Sequence, residues 1–109
     1  MKSKKQSGEF CEVFGTNPRN RILELFLEMR ELDFSIGDIA KETELNRATT
    51  YNAMEELIKE NYVILSRKVS GGQLYRLNKE KREVKILIES FNLILGKIVK
   101  EYEKKKVYA

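Results

Sequence analysis

The sequence predicts a mainly α-helical chain with one small β-hairpin, an α+β arrangement that ends in a long helix. Three observations predict it. Apolar residues recur at helical spacing in several separate stretches, each opened by a capping residue. Two short segments with apolar residues at a period of two flank Ser70-Gly71-Gly72. From about Lys79 onward the helical period returns and holds to about Lys106.

A chain of 109 residues suffices for one small domain. Its formal charge of +4 and isoelectric point near 9.2 suit nucleic acid or another anionic surface. Charged residues make up 35% of the chain, and their Lys/Glu enrichment resembles that of hyperthermophile proteins. A lone cysteine, Cys11, excludes an intramolecular disulfide, and the absence of histidine removes the commonest general base and zinc ligand. No apolar run reaches the roughly 18 residues of a membrane span. The expectation is a soluble, cytoplasmic chain with no metal and no cofactor.

Taken in order, residues 1–15 form a basic, polar tail with Lys2, Lys4 and Lys5, then a short packing segment from Glu9 to Phe14 that Gly15 ends. The segment packs on the domain or on a partner subunit. Cys11 beside Phe10 and Val13 reads as a small buried hydrophobe, with an intersubunit disulfide left open. Thr16-Asn17-Pro18 opens a helix, because proline's missing N–H costs nothing at the first helical position. Ile22, Leu25, Phe26 and Met29 give its apolar stripe, which Leu23 and Leu27 widen, to about Leu32. No chemistry is visible in it.

Phe34-Ser35-Ile36 can form a short edge strand. Ser35 and Asp38 then cap a helix from Ile36 to Thr43. Glu44-Leu45-Asn46 makes a turn with Leu45 as its plug, and Asn46 caps a second helix that runs to Glu60. Thr50, Ala53, Met54, Leu57 and Ile58 define the buried face of that helix, and Asn61 suits the left-handed residue beyond its end. In the hairpin, Val63, Leu65, Tyr75 and Leu77 share the face expected to be buried, and Gly71-Gly72 supplies the positive φ values of the turn. The last helix places Val84, Leu87, Phe91, Ile94 and Ile98 on one stripe, flanked by Ile88, Leu95 and Tyr102. Ile86, Leu93 and Val99 lie off it. That is more apolar surface than one small domain covers, so this helix is expected to pack against a second copy of itself and also against the first helix.

Helix, helix, turn, helix, hairpin, long helix is the order of a winged helix-turn-helix. The stretch IGDIAKETELNRATTYNAMEELIKENYV resembles small winged-helix transcription regulators of the MarR, ArsR and TrmB type, common in archaea. The resemblance covers roughly Ile22 to Asn78. It implies a DNA-binding region over 16–78 and a second motif helix that enters the major groove by its N-terminal residues, while the apolar pattern makes 79–109 the expected dimerisation helix. By position these are Asn46, Arg47, Ala48, Thr49, Tyr51 and Asn52. Their chemistry fits: Arg47 can pair with guanine, Asn52 with adenine, and Ala48 or the Thr49 methyl can touch a thymine methyl. Asn46 and Tyr51 suit phosphates.

Around the hairpin tip, Arg67, Lys68, Gln73 and Arg76 could reach a minor groove or its flanking phosphates. Residues 46–82 hold eight Lys/Arg and four Glu, so the whole formal excess of the chain lies there. The same charges would also protect a hairpin edge from aggregation. Farther along the second motif helix, Glu55, Glu56 and Glu60 would repel phosphates, which confines docking to its start. The expected dimer contacts are Val84, Leu87, Phe91, Ile94, Leu95, Ile98 and Tyr102. Catalysis finds little support, since there is no GxGxxG, Walker loop, CxxC or Ser/His/Asp set. The expected function is a homodimeric, sequence-specific regulator that binds double-stranded DNA. An architectural chromatin protein and a protein-interaction adaptor are the alternatives. An effector is not identified, although a pocket between the first and last helices could hold one.

Overall fold

The computed structural model describes the backbone of residues 8–108 and the side chains of residues 8–96. Lys2, Lys4 and Lys5 of the expected tail, and the side chains of Ile98 and Tyr102, lie outside the described residues. Helices α1 (Glu9–Phe14), α2 (Pro18–Glu28), α3 (Ile36–Thr43) and α4 (Arg47–Lys59) precede strands β1 (Val63–Val69) and β2 (Gly72–Leu77). Helix α5 (Arg82–Tyr108) closes the order.

Helix α2 is the centre of the fold. Asn17 caps it by accepting the Asn20 backbone N–H at 2.8 Å, with Pro18 in the first turn. Every residue from Ile22 to Leu27 is buried, because α1, α3, α4, α5 and β2 all pack around it. An amphipathic stripe therefore understates this helix, which is enclosed on nearly all sides. The buried set includes Glu24, whose carboxyl accepts the backbone N–H of Gly8 at 2.8 Å and of Cys11 at 3.1 Å. Glu24 thus satisfies the first amides of α1 and fastens that short helix to the core, where Phe10 and Cys11 are buried. Asn20 holds the other end of α1 through the Phe14 and Gly15 carbonyls.

The helix stops at Glu28, four residues before the expected end, and Met29 and Leu32 are exposed rather than core. Met29 leaves the helical region (φ −116°, ψ 47°), and the chain turns so that Phe34 can reach β2. Phe34 and Tyr75 exchange two backbone hydrogen bonds of 2.8 Å, and the Phe34 ring meets Phe26 edge-on at 5.6 Å. The expected edge strand is this one bridge.

Helices α3 and α4 follow the local signals. Ser35 and Asp38 form a reciprocal capping box, and Asn46 accepts the Thr49 N–H at 2.8 Å. Asn61 adopts the left-handed conformation with φ 64°, and so, without a sequence signal, does Glu44 with φ 60° in the turn. Ile39, Thr50, Ala53, Met54 and Leu57 are buried, with Leu45 and Ile58 packed beside them.

The hairpin departs from simple alternation. Leu65 pairs with Tyr75 but Arg67 pairs with Leu74, so Ser66 is an extra residue in β1. Val63 and Leu77 are fully buried, whereas Leu65, beside the bulge, is 44% exposed. At the tip the loop is Ser70-Gly71, and only Gly71, at φ 89°, has a positive φ. Gly72 begins β2. On α5, Val84 and Phe91 are buried in the chain's own core, and the helix packs against α1 and α2.

Candidate nucleic-acid interface

The start of α4 is basic. The unpaired amides of the first turn and the helix dipole make that end positive, which an acidic residue would offset. Helix α3 follows that rule with Asp38, whereas α2 has no acid in its first turn and its Arg19 is paired with Glu60 instead. Helix α4 has no acid in its first turn and puts Arg47 at its first position. The positive end is therefore reinforced, an arrangement that attracts an anion.

Asn46, Arg47, Ala48, Tyr51 and Asn52 are all exposed, Tyr51 by 56%. Thr49 is half-buried, and its backbone N–H is taken by the Asn46 cap. Thr50, next to it, is fully buried and donates its hydroxyl to the Asn46 carbonyl at 2.9 Å. The exposed surface of the helix start is thus Arg47, Ala48, Tyr51 and Asn52, flanked by Asn46, with Thr49 half-buried among them. Glu55 and Glu56 are exposed farther along the same helix, whereas Glu60 accepts from Arg19 at 2.9 Å. Arg19 also lies 4.8 Å from the centre of the Tyr62 ring, and Lys81 lies 5.2 Å from it.

In the wing, Lys68 and Gln73 face each other across the strands, and Gln73 accepts the Tyr75 hydroxyl at 2.8 Å. Arg67 donates through Nε to Asp33 at 3.1 Å. Lys79 pairs with Glu31 at 2.9 Å, and Lys81 with Glu83 at 3.6 Å. The local positive excess is therefore smaller than the sequence count implies. Among the described residues, Arg47, Lys68 and Arg76 are the predicted contact cations that form no ion pair.

Helix start and wing are joined by residues 33–37. Arg67 rests on Asp33, Phe34 is bridged to Tyr75, and the Arg47 guanidinium lies against Gly37. A Cβ added to Gly37 would come 3.7 Å from Arg47 Nη1. Four residue steps span at most about 14 Å. Arg67 is thus held at one end of a short segment and the Arg47 guanidinium lies near its other end, a juxtaposition that their distance in sequence does not disclose. Asp33, which anchors one of them, carries no motif and was not among the residues expected at a site.

Of the expected dimer contacts, Leu87 and Ile94 are half-buried and Leu95 is 43% exposed. Among the described residues, the most exposed apolar side chains of α5 are Leu93, at 71%, and Ile86, at 54%. A cavity of about 350 Å³ lies where α1, α2 and α5 meet, lined by Phe10, Phe14, Leu23 and Leu87 with Arg19 and Tyr62 at its polar side. Among the described residues, no helix is long and apolar enough to cross a membrane.

Comparison with known structures places this geometry. The adhesin competence repressor AdcR of Streptococcus pyogenes aligns over 82% of this chain and 62% of its own, with a TM-score of 0.59 and 13% identity. This chain therefore spans less than two thirds of that repressor's length. A mutant of MepR from S. aureus aligns over 87% of this chain and 69% of its own, with a TM-score of 0.61 and 17% identity. A mutant of Lactococcus lactis ZitR aligns over 90% and 74%, with a TM-score of 0.61 and 14% identity. At these identities the likeness is one of fold. No curated protein sequence matches the chain. The family model for the HTH domain matches residues 18–73, from the start of α2 into the wing. The chain belongs to that helix-turn-helix domain family and has the winged fold of small transcription regulators.

Proposed function

We propose that the chain is a sequence-specific regulator that binds double-stranded DNA as a homodimer. The start of α4 enters the major groove, and the wing lies on the flanking backbone or minor groove. The observation that carries this reading is the first turn of α4, where Arg47 is exposed, has no acid in the turn with it and, among the described residues, forms no ion pair, unlike Arg19 of α2. Such a choice weakens the isolated helix by an amount of order 0.3–1 kcal/mol and is recovered when a phosphate or base acceptor meets it. Around it, Ala48, Tyr51 and Asn52 supply an apolar contact, a phosphate donor and an adenine-reading amide.

A second copy is supported by α5, whose Ile86, Leu93 and Leu95 side chains remain exposed after Val84 and Phe91 have entered the core. Two recognition helices would then read half-sites one turn of DNA apart, roughly 34 Å. Selection of bound duplexes from a random library tests the reading. An enriched, pseudo-palindromic sequence is expected. Retention of duplexes with no enrichment would instead identify a non-specific architectural protein, and no retention would remove DNA from the account.

A further inference from the structure

The wing's Arg67 is not left to find its own direction. In a regular strand, successive side chains point to opposite faces, so Ser66 and Arg67 could not both reach one acceptor. The bulge at Ser66 changes this. Ser66 Oγ donates to Asp33 Oδ2 at 2.8 Å, and Arg67 Nε donates to the same oxygen at 3.1 Å. Asp33 is itself fixed, since Phe34, the next residue, is tied to Tyr75 of β2 by two backbone bonds of 2.8 Å. An extra residue in one strand, a bridge from the segment before α3 and a shared carboxylate thus converge on one arginine.

We propose that Asp33 is a positioning residue for DNA binding, which aims Arg67 from the base of the wing. The proposal rests on the DNA-binding reading above. The Arg67 side chain is 65% exposed and that of Asp33 is 21% exposed. Exposed ion pairs contribute little to stability, so the arrangement is poorly explained as a staple of the fold. Asp33 engages Nε and not the two terminal amino groups, whose four N–H donors remain for a phosphate or a minor-groove acceptor. An arginine carries one of the largest side-chain entropies, and fixing it before DNA arrives removes that cost from the binding step. Arg76 lines the same groove as Asp33, Ser66 and Arg67, so the aimed guanidinium has a second cation beside it.

The alternative role for Asp33 is plain repulsion of DNA by a negative charge. The two roles differ in sign. Asp33→Ala raises the net charge by one, so repulsion alone requires tighter binding, whereas positioning requires weaker binding. The experiment is a titration of duplex DNA enriched from the random library against wild type, Asp33→Ala, Asp33→Asn, Arg67→Ala and the Asp33→Ala/Arg67→Ala pair, over a range of salt. The expected result is about a tenfold loss for Asp33→Ala. The salt slope should fall by roughly one phosphate contact, and no further loss should appear when Arg67 is already alanine. Asp33→Asn, which keeps an acceptor oxygen, should fall between. Unchanged thermal unfolding of Asp33→Ala separates the effect from misfolding, and Asp33→Asn carries the test if that variant is unstable. Unchanged or tighter binding by both variants, with wild type bound, overturns the positioning role alone. A wild-type chain that binds no duplex overturns the parent reading and this one with it.

Discussion

The Glu24 carboxyl accepts the Cys11 backbone N–H at 3.1 Å from inside the core, and the Gly8 N–H at 2.8 Å beside it. These two bonds hold α1 against α2. Glu24→Ala should leave the two amides without that partner and destabilise the chain by about 1–3 kcal/mol. Glu24→Gln, which keeps one carbonyl acceptor, should lose less. Urea unfolding gives the difference, and hydrogen exchange should show faster exchange across residues 8–14 in Glu24→Ala. Equal protection there in wild type and variant would mean that α1 is held by its apolar contacts alone.

Burial pushes the Cys11 thiol up to about 12 from an ordinary 9.0, and the neighbouring Glu24 adds to the effect. The thiolate is the reactive form, so at pH 8 native Cys11 should alkylate about a thousandfold more slowly than the unfolded chain. The raised value also links to stability. Above pH 9 the unfolded thiol releases its proton while the folded one keeps it, so this contribution is full below 9 and is lost as pH rises towards 12. Unfolding free energy should accordingly fall less steeply over that window in Cys11→Ala than in wild type. Equal slopes would contradict the assignment.

In the turn of the motif, Glu44 holds φ 60° and ψ 22°, a conformation that costs a residue with a Cβ. Glu44→Gly should stabilise the chain by about 0.5–1 kcal/mol, and Glu44→Val should destabilise it by a similar amount. Midpoints of urea unfolding decide the matter. A loss on Glu44→Gly would show that the Glu44 side chain contributes more than its backbone strain costs.

Such positions show where the sequence is legible. Ser35, Asp38, Asn46 and Asn61 act on amides and carbonyls a few residues away, so the bounds of α3 and α4 can be read locally. Glu24 could not be found that way, because a charged residue in an apolar stretch reads as a surface position until α1 is folded onto it. The end of α2 was hidden for a related reason: Met29 and Leu32 continue the apolar pattern, but the chain must turn for Phe34 to bridge Tyr75. An extra residue at Ser66 has no local signature, and it both exposes Leu65 and brings Arg67 to Asp33. Arg47, Ala48, Tyr51 and Asn52 were legible as an exposed helix start. Their link to the wing through residues 33–37 is a product of tertiary packing.

Helix α5 supports a further expectation. Leu93→Glu and Ile86→Glu alter side chains that are 71% and 54% exposed, so each variant should keep its helix content. Each should shift the mass found by light scattering at micromolar concentration towards the monomer and weaken DNA binding. Phe91→Glu, in contrast, should unfold the chain by burying a charge in the core. A wild-type chain that is already monomeric under those conditions would remove the second copy from the account.

The central claim is that the start of α4 reads bases while the wing holds the backbone. Its most direct test is binding of wild type, Arg47→Ala and Lys68→Ala to the enriched duplex and to a scrambled one, titrated against salt. Arg47→Ala is expected to erode the preference between the two duplexes, at a cost of about 1–3 kcal/mol on the enriched one. Lys68→Ala is expected to weaken both equally and to lower the salt slope by about one contact. Equal loss on both duplexes for Arg47→Ala, or a wild type with no preference between them, would contradict the account.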